Sequence, residues 1–413
     1  MTGNPCTLIR TSLLADGLGG EARPDQEVLV RDGRIAAVGT RLTLPPETRI
    51  IDLGKTCLTP GLIDGHTHLG LSGDGRPYAE MFAESDEMMV LIGARNLQLH
   101  RDAGITTLRE HGARNRVGFA LKEGVRRGLI PGPRLQVCGR PITCTGGHFH
   151  MCNEVADGEE EIRRSVRRLV HEGADYIKIM ASGGGTAGTL PGLASYTRPE
   201  LEAAVHEAHY FHRLTAAHCR ATDSMRRAVE AGIDLMEHAE FLNPDGELCF
   251  DPEIAGMMAE SGIWISPTLQ AWTRYGRMVE LRERRALLTE AEEQELQRLE
   301  ARAELRLDLL RRLLDYKGMR DRLVPGTDSG AGAIAFGHLD YDLQLLHQTG
   351  LTPGEALVAA TRISAEAIGL GKDLGTIEPG KVADLTAFEG DPIRDISAFS
   401  RVKAVFQEGV QVR

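Results

Sequence analysis

Apolar and polar positions along the chain change rhythm between its ends and its middle. From Cys6 to about Cys57, short alternating segments are broken by Gly and Pro. Within them "EVLVRDGRIAAVG" sets Asp32-Gly33 between two β-rich runs, a hairpin signal. The C-terminus returns to this style in "GTIEPGKVADLTAFEG" and "VKAVFQEGVQV". Between the ends, apolar strand-like runs alternate with helical patterns, the βαβα order of a parallel sheet or a barrel. Eight runs end near His68, near His111, near Thr145 and at "DYIKIMASGGG", "LTAAHC", "DLMEHAE", "IWISPT" and "LVPGTDSG". Eight strand-helix units over about 250–300 residues match the size of a (β/α)8 TIM barrel. The expected fold is α/β: a barrel over residues 58–372, with a small β-sandwich domain built from residues 1–57 and 373–413.

Helix starts support the alternation. Thr197 with Glu200, and Thr352 with Glu355, fit the capping box, in which a hydroxyl and a carboxylate satisfy orphan amide donors. One segment departs from the rhythm, "LTEAEEQELQRLEARAELRLDLLRRLLDY", with Leu296, Leu299, Ala303, Leu307, Leu310 and Leu314 at helical spacing and charge on the other faces. It predicts a long amphipathic helix over residues 289–316, packed outside the barrel before its last strand; a lid or subunit contact is the other reading.

Composition narrows the classes. The 413 residues are 26% charged and 42% hydrophobic, ordinary for a soluble globular enzyme. The start "MTGNPCTLIRTSLLADGLGG" does not resemble a secretory signal, and no segment approaches the ~20 apolar residues of a membrane span. A cytoplasmic protein with no membrane partner is expected. Seven scattered cysteines without a C-x-x-C pair argue against a disulfide framework. A net charge of −11 with no concentrated basic face argues against nucleic acid as a partner.

Candidate chemistry enters with "GLIDGHTHLG". A strand sends residues i and i+2 to one face, so His66 and His68 point the same way. Alone, such a pair is more often two histidines satisfied by nearby carbonyls. In a barrel, however, the C-terminal strand ends converge on one mouth. Lys178 lies in the fourth run, His218 ends the fifth, His238 follows the sixth and Asp328 ends the eighth. Each has an ordinary reading by itself, as a core histidine, a paired lysine or a turn aspartate. Four histidines and one aspartate together match the ligand preference of zinc and similar divalent ions.

With "TPGLIDGHTH" and the closing "LGTIEPGKVADL", this set resembles the amidohydrolase superfamily over nearly the whole chain. The resemblance implies two divalent metal ions, zinc or another first-row ion: His66 and His68 bind the more buried one with Asp328, and His218 and His238 bind the more exposed one. Lys178 would bridge them after carboxylation by carbon dioxide, because a free ammonium cannot ligate. The implied reaction is hydrolysis of an amide-like bond, most simply in a dipeptide or N-acyl amino acid, by metal-activated hydroxide with Asp328 as general base and acid. Urea or carbamate hydrolysis, and a mononuclear deaminase-like or imidazolonepropionase-like reaction, are the alternatives. Lys178 speaks against the mononuclear ones. A non-catalytic scaffold is disfavoured because all six ligand positions are filled. Self-assembly of like chains is expected.

"GRPITCTGGH" also resembles a branch containing prolidase-like dipeptidases, carboxypeptidases, and ochratoxin, phenylurea or carbamate hydrolases. There the histidine after the double glycine, here His148, is a substrate contact. "HFHMC" offers His148, His150 and Cys152 as a second metal site, but it follows a Gly-Gly loop rather than a strand. Departures from the family pattern, Arg109-Glu110-His111-Gly112 and Cys219-Arg220, are expected at the mouth where specificity is set. Arg220 could hold a substrate carboxylate or sit in a structural ion pair.

Overall fold

The Asp-Gly pair turns the chain where its composition predicts. A computed structural model describes residues 6–413. Strands β1 (Thr7–Leu14), β2 (Arg23–Arg31) and β3 (Arg34–Gly39) form an antiparallel meander. Asp32 and Gly33 have φ of 52° and 74°, both positive, as the two-residue hairpin turn requires. Strands β4 (Arg49–Asp52) and β5 (Thr56–Pro60) then pair parallel with β1.

The middle of the chain is α/β. Strands β6 (Leu62–Thr67), β7 (Ile105–Glu110) and β8 (Arg134–Val137) form one parallel sheet. Strands β9 (Tyr176–Met180), β10 (Leu214–Ala221), β11 (Leu235–Leu242) and β12 (Trp264–Ser266) form another. Between successive strands lie the helices Asp86–Asp102, Val117–Arg126, Gly158–Glu172, Arg198–Tyr210, Thr222–Ala231 and Pro252–Ser261. Strands β6, β7, β9, β10 and β11 are buried almost throughout, as parallel strands covered on both faces must be.

Two expectations about strands need correction. The third run does not continue to Thr145: β8 ends at Val137, Gly139 turns the chain at φ 77° and Pro141 has no amide to donate. Pairing resumes at Ile142, whose amide donates to the Lys178 carbonyl at 2.9 Å and whose carbonyl accepts from Met180 at 2.8 Å. The eighth run, interrupted by Pro325 and Gly326, forms no regular strand. Its Val324 amide nevertheless donates to the Ile265 carbonyl, and its Asp328 amide to the His66 carbonyl, both at 2.8 Å. Hydrogen bonds therefore link the two central sheets at both edges.

The C-terminal strands β13 (Leu385–Glu389), β14 (Val402–Gln407) and β15 (Val410–Gln411) join the first five in one eight-stranded sheet, with β13 antiparallel to β5. The expected boundary after residue 57 falls inside β5, so the sheet continues to Pro60 and only Gly61 separates it from β6. A Cβ at Gly61 would lie 2.1 Å from Thr106 Oγ1, which leaves room only for glycine.

The long amphipathic helix runs from Glu290 to Leu314, and all six predicted apolar positions are buried. It packs against the helices Leu269–Thr273 and Tyr275–Glu283, which favours the outer-helix reading. The predicted capping box at Thr352 forms, with the Thr352 amide donating to Glu355 at 2.7 Å and the Glu355 amide to Thr352 Oγ1 at 3.2 Å. Among the described residues, no helix is long and apolar enough to cross a membrane.

Candidate metal centre

Alternation on β6 brings His66 and His68 together: their Nε2 atoms are 3.4 Å apart, and Asp328 Oδ1 lies 3.4 and 3.2 Å from them. Beside them, His218 Nδ1 lies 2.8 Å from His238 Nε2. Lys178 completes the group, with no exposed surface and no hydrogen-bond partner for Nζ among the described residues. All six residues line one small cavity, together with His148, Tyr78 and Trp272.

The outward-facing ring nitrogens decide what the inward ones can do. His66 Nδ1 meets Glu237 Oε2 at 2.7 Å, and His218 Nε2 meets the Gly183 carbonyl at 3.1 Å. His68 Nδ1 makes a longer contact, 3.4 Å, with the Gly112 carbonyl. An ionised carboxylate or a carbonyl only accepts, so each outer nitrogen carries the proton and each inner one presents a lone pair. Burial pushes the His66, His218 and His238 imidazoles well below the usual histidine range, leaving them neutral. Burial also lowers the Lys178 ammonium, opposed by Glu237, 3.9 Å away. Converging imidazoles, a carboxylate and a buried amine without a hydrogen-bond partner among the described residues fit a divalent-cation centre.

His238 is held from three directions. Its φ of 70° breaks the period-two alternation of β11, so the consecutive Glu237 and His238 both serve the same centre. Its Nδ1 lies 2.7 Å from Thr268 Oγ1, which also accepts from the Trp272 indole at 3.0 Å. Its carbonyl accepts from Arg306 Nη2 at 2.9 Å, a buried arginine on the long helix. Replacing Thr268 with valine keeps the shape and removes the acceptor that orients His238. Metal affinity in chelator competition is expected to fall about 10- to 100-fold, the usual effect of losing such an outer hydrogen bond.

His148 also reaches the cavity, its Nδ1 2.8 Å from Thr186 Oγ1 and its ring centroid 4.6 Å from that of His218. The second candidate metal site does not form. His150 Nδ1 turns back to the Gly147 carbonyl, Cys152 is buried in the apolar core, and neither belongs to a ligand cluster among the described residues.

Arg220 is committed elsewhere. Its Nε bonds Glu240 at 2.5 Å, its guanidinium lies 4.0 Å from the Trp272 ring centroid, and it lines neither of the two cavities at this site. These contacts favour the structural ion pair, which backs Trp272, over the carboxylate anchor. Nor do Arg109, Glu110 and His111 lie at the mouth, for all three are fully buried. Arg109 stacks 3.7 Å from the Tyr176 centroid, and His111 stacks on His66 with centroids 4.0 Å apart.

Sequence reasoning missed Glu237, Thr268, Trp272 and Tyr78. The one available signal was for Glu237, whose place beside His238 in a strand framed by apolar residues asks for a buried partner.

The small cavity opens into a chamber of about 720 Å3, with Tyr78, Gly185, Trp272 and Asp328 lining both. One wall comes from residues 270–280 and another from residues 331–341, with residues 75–78 and Gly185 completing the lining. Small side chains, Ala331, Gly332, Ala333 and Ala335, keep the second wall recessed.

Known proteins share this architecture. An ochratoxinase of Aspergillus niger is 28% identical over 97% of this chain and 84% of its own length. An imidazolonepropionase of Solibacter usitatus is 27% identical over 91% of this chain and 87% of its own. Among solved structures, a Xaa-Pro dipeptidase with methionine bound in the active site has a TM-score of 0.82 at 25% identity, covering 98% of this chain and 99% of that one. Phenylurea hydrolase B, at 22% identity and a TM-score of 0.78, covers 98% of this chain and 96% of that one and shares the fold. The Amidohydrolase family profile matches residues 57–412, and the chain belongs to the amidohydrolase family.

Proposed function

We propose that the chain hydrolyses an amide C–N bond of a dipeptide or N-acyl amino acid at a centre of two divalent cations, in the mouth of a closed (β/α)8 barrel. The hydrogen bonds joining both edges of the central sheets support the barrel, and the one eight-stranded sheet made by the chain ends supports a small β domain beside it. The observation that carries the reading is the meeting, in one cavity, of four inward imidazole nitrogens, Asp328 and a buried Lys178 whose Nζ has no hydrogen-bond partner among the described residues.

In this reading His66, His68 and Asp328 hold one cation, His218 and His238 hold the other, and carboxylated Lys178 lies between them. Zinc suits the donors. When bound, such cations polarise the scissile carbonyl and bring the pKa of water toward neutrality. Asp328 borders both the metal cavity and the chamber, so it accepts the proton of the attacking water and delivers it to the leaving nitrogen. His148, on the same wall as His218, contacts the substrate carbonyl side.

The experiment is to incubate metal-replete protein with dipeptides, N-acyl amino acids, aryl ureas and carbamates and identify products by mass spectrometry. Release of C-terminal amino acids, abolished by a chelator and restored by zinc, is expected. Products only from the ureas and carbamates would place the reaction with that alternative. A single metal per active chain with unmodified Lys178 would favour the mononuclear chemistry suggested by the imidazolonepropionase relatives.

A further inference from the structure

The chamber holds one cation free of ion pairs in a chain whose net charge is −11. Three arginines line it, Arg76, Arg274 and Arg277, against Glu280 and Asp328. Two of the three are already neutralised. Arg76 pairs with Asp74 at 2.9 Å and Glu84 at 3.6 Å; Arg277 pairs with Glu280 at 2.8 Å and Glu295 at 2.9 Å. Arg274 has no ion-pair partner among the described residues. Glu295 feels its charge from farther away, but that carboxylate is bonded to Arg277.

The backbone fixes where this free cation sits. Arg274 joins the helix Leu269–Thr273 to the helix Tyr275–Glu283 at φ 49°, a left-handed conformation that long side chains rarely adopt. Two residues before it stands Trp272, at the opening between chamber and metal cavity; Ile334 and Tyr341 also line the chamber, with the Tyr341 ring packed 5.3 Å from that of Tyr275. A volume of about 720 Å3 is in the range that encloses a drug-sized ligand, beyond the needs of two small amino acids. The walls thus offer aromatic and aliphatic surface, room left by small side chains, and one uncompensated positive charge.

We propose that Arg274 is the specificity-determining residue of this chamber, selecting amides whose bulky aromatic or branched apolar portion on the chamber side carries a carboxylate. The assignment rests on the hydrolase reading only for the reaction, since ligand selection by the chamber can be measured without turnover. A guanidinium paired with a carboxylate in a partly enclosed cavity gives a charge-assisted hydrogen bond that a neutral analogue cannot replace.

The test uses metal-loaded full-length protein, with naphthalene-2-carboxylate and its neutral carboxamide as probes and tryptophan fluorescence quenching as the readout. The carboxylate is expected to bind about 10- to 100-fold more tightly than the carboxamide and to lose that advantage in Arg274→Gln. Arg274→Lys should recover part of it, and Arg76→Gln, which removes an already paired cation, should change it by about twofold or less. Equal affinity of the two probes, or carboxylate binding that ignores Arg274→Gln because the metals alone capture it, would overturn the proposal. Arg274-dependent selectivity in a protein that cleaves none of the amides above would sink the hydrolase reading and leave the chamber assignment standing.

Discussion

Replacing Asp328 with asparagine is expected to leave a folded protein whose turnover falls by about two to four orders of magnitude, the usual weight of a general base. Folding should survive because Asp328 sits at φ 56°, a left-handed conformation that asparagine adopts at least as readily as aspartate. The backbone bond from its amide to the His66 carbonyl, 2.8 Å, is also independent of the side chain. What disappears is one negative charge beside His66 Nε2 and His68 Nε2, and a base that can take a proton. Metal binding should weaken while the melting temperature of the metal-free protein stays near that of the parent. Steady-state kinetics, metal analysis and thermal unfolding on the same preparation check the three parts together. A variant that keeps activity would show that the proton is taken elsewhere, with His148 the next candidate in the cavity.

Lys178→Met should separate stability from activity. The lysine is fully buried and its Nζ has no hydrogen-bond partner among the described residues, so the unmodified side chain holds a polar group at a loss. Methionine fills similar volume without that cost. Because the exchange also takes a cation from beside Glu237, 3.9 Å away, the two effects offset and the metal-free variant is expected to stay within about 1 kcal/mol of the parent in denaturant unfolding. The same change removes the only group positioned to become a bridging carboxylate, and turnover is expected to drop at least about a hundredfold with the loss of one metal per chain. If the variant is less stable and keeps its metals, Lys178 is a structural residue. Intact-mass measurement of the parent, prepared with and without bicarbonate, would detect the added carbon dioxide directly.

What the sequence displayed of this site follows from how locally each feature is encoded. His66 and His68 are visible because strand alternation is a property of neighbouring residues, and the long helix is visible because its leucines repeat at one period. Glu237 was hidden because φ 70° at His238 reverses the alternation there, and no glycine marks the spot. Arg306 was hidden for the opposite reason: it stands inside an apolar stripe, where an arginine reads as a charged face, yet it is buried against the His238 carbonyl. The third strand stops short of its apolar run because Gly139, at φ 77°, and Pro141, without an amide, interrupt the pairing that the residues around them favour. The chamber could not be read at all, since its walls come from segments about sixty residues apart that meet only in three dimensions.

The single-residue link at Gly61 sets an order of events as well as a boundary. Strand β5 pairs with β13, more than three hundred residues later, and Gly61 itself donates its amide to the Asp384 carbonyl at 2.8 Å. While a ribosome is still making the central helices, β5 therefore lacks one neighbour, and the strand bearing His66 and His68 hangs from an open edge. Such an edge is a template for pairing with another nascent chain. Contacts spanning almost the whole sequence are also slow to form. Strand β13, remote from any chemistry, thus acts as a latch: until it is made and pairs with β5, the segment carrying His66 and His68 keeps one open side.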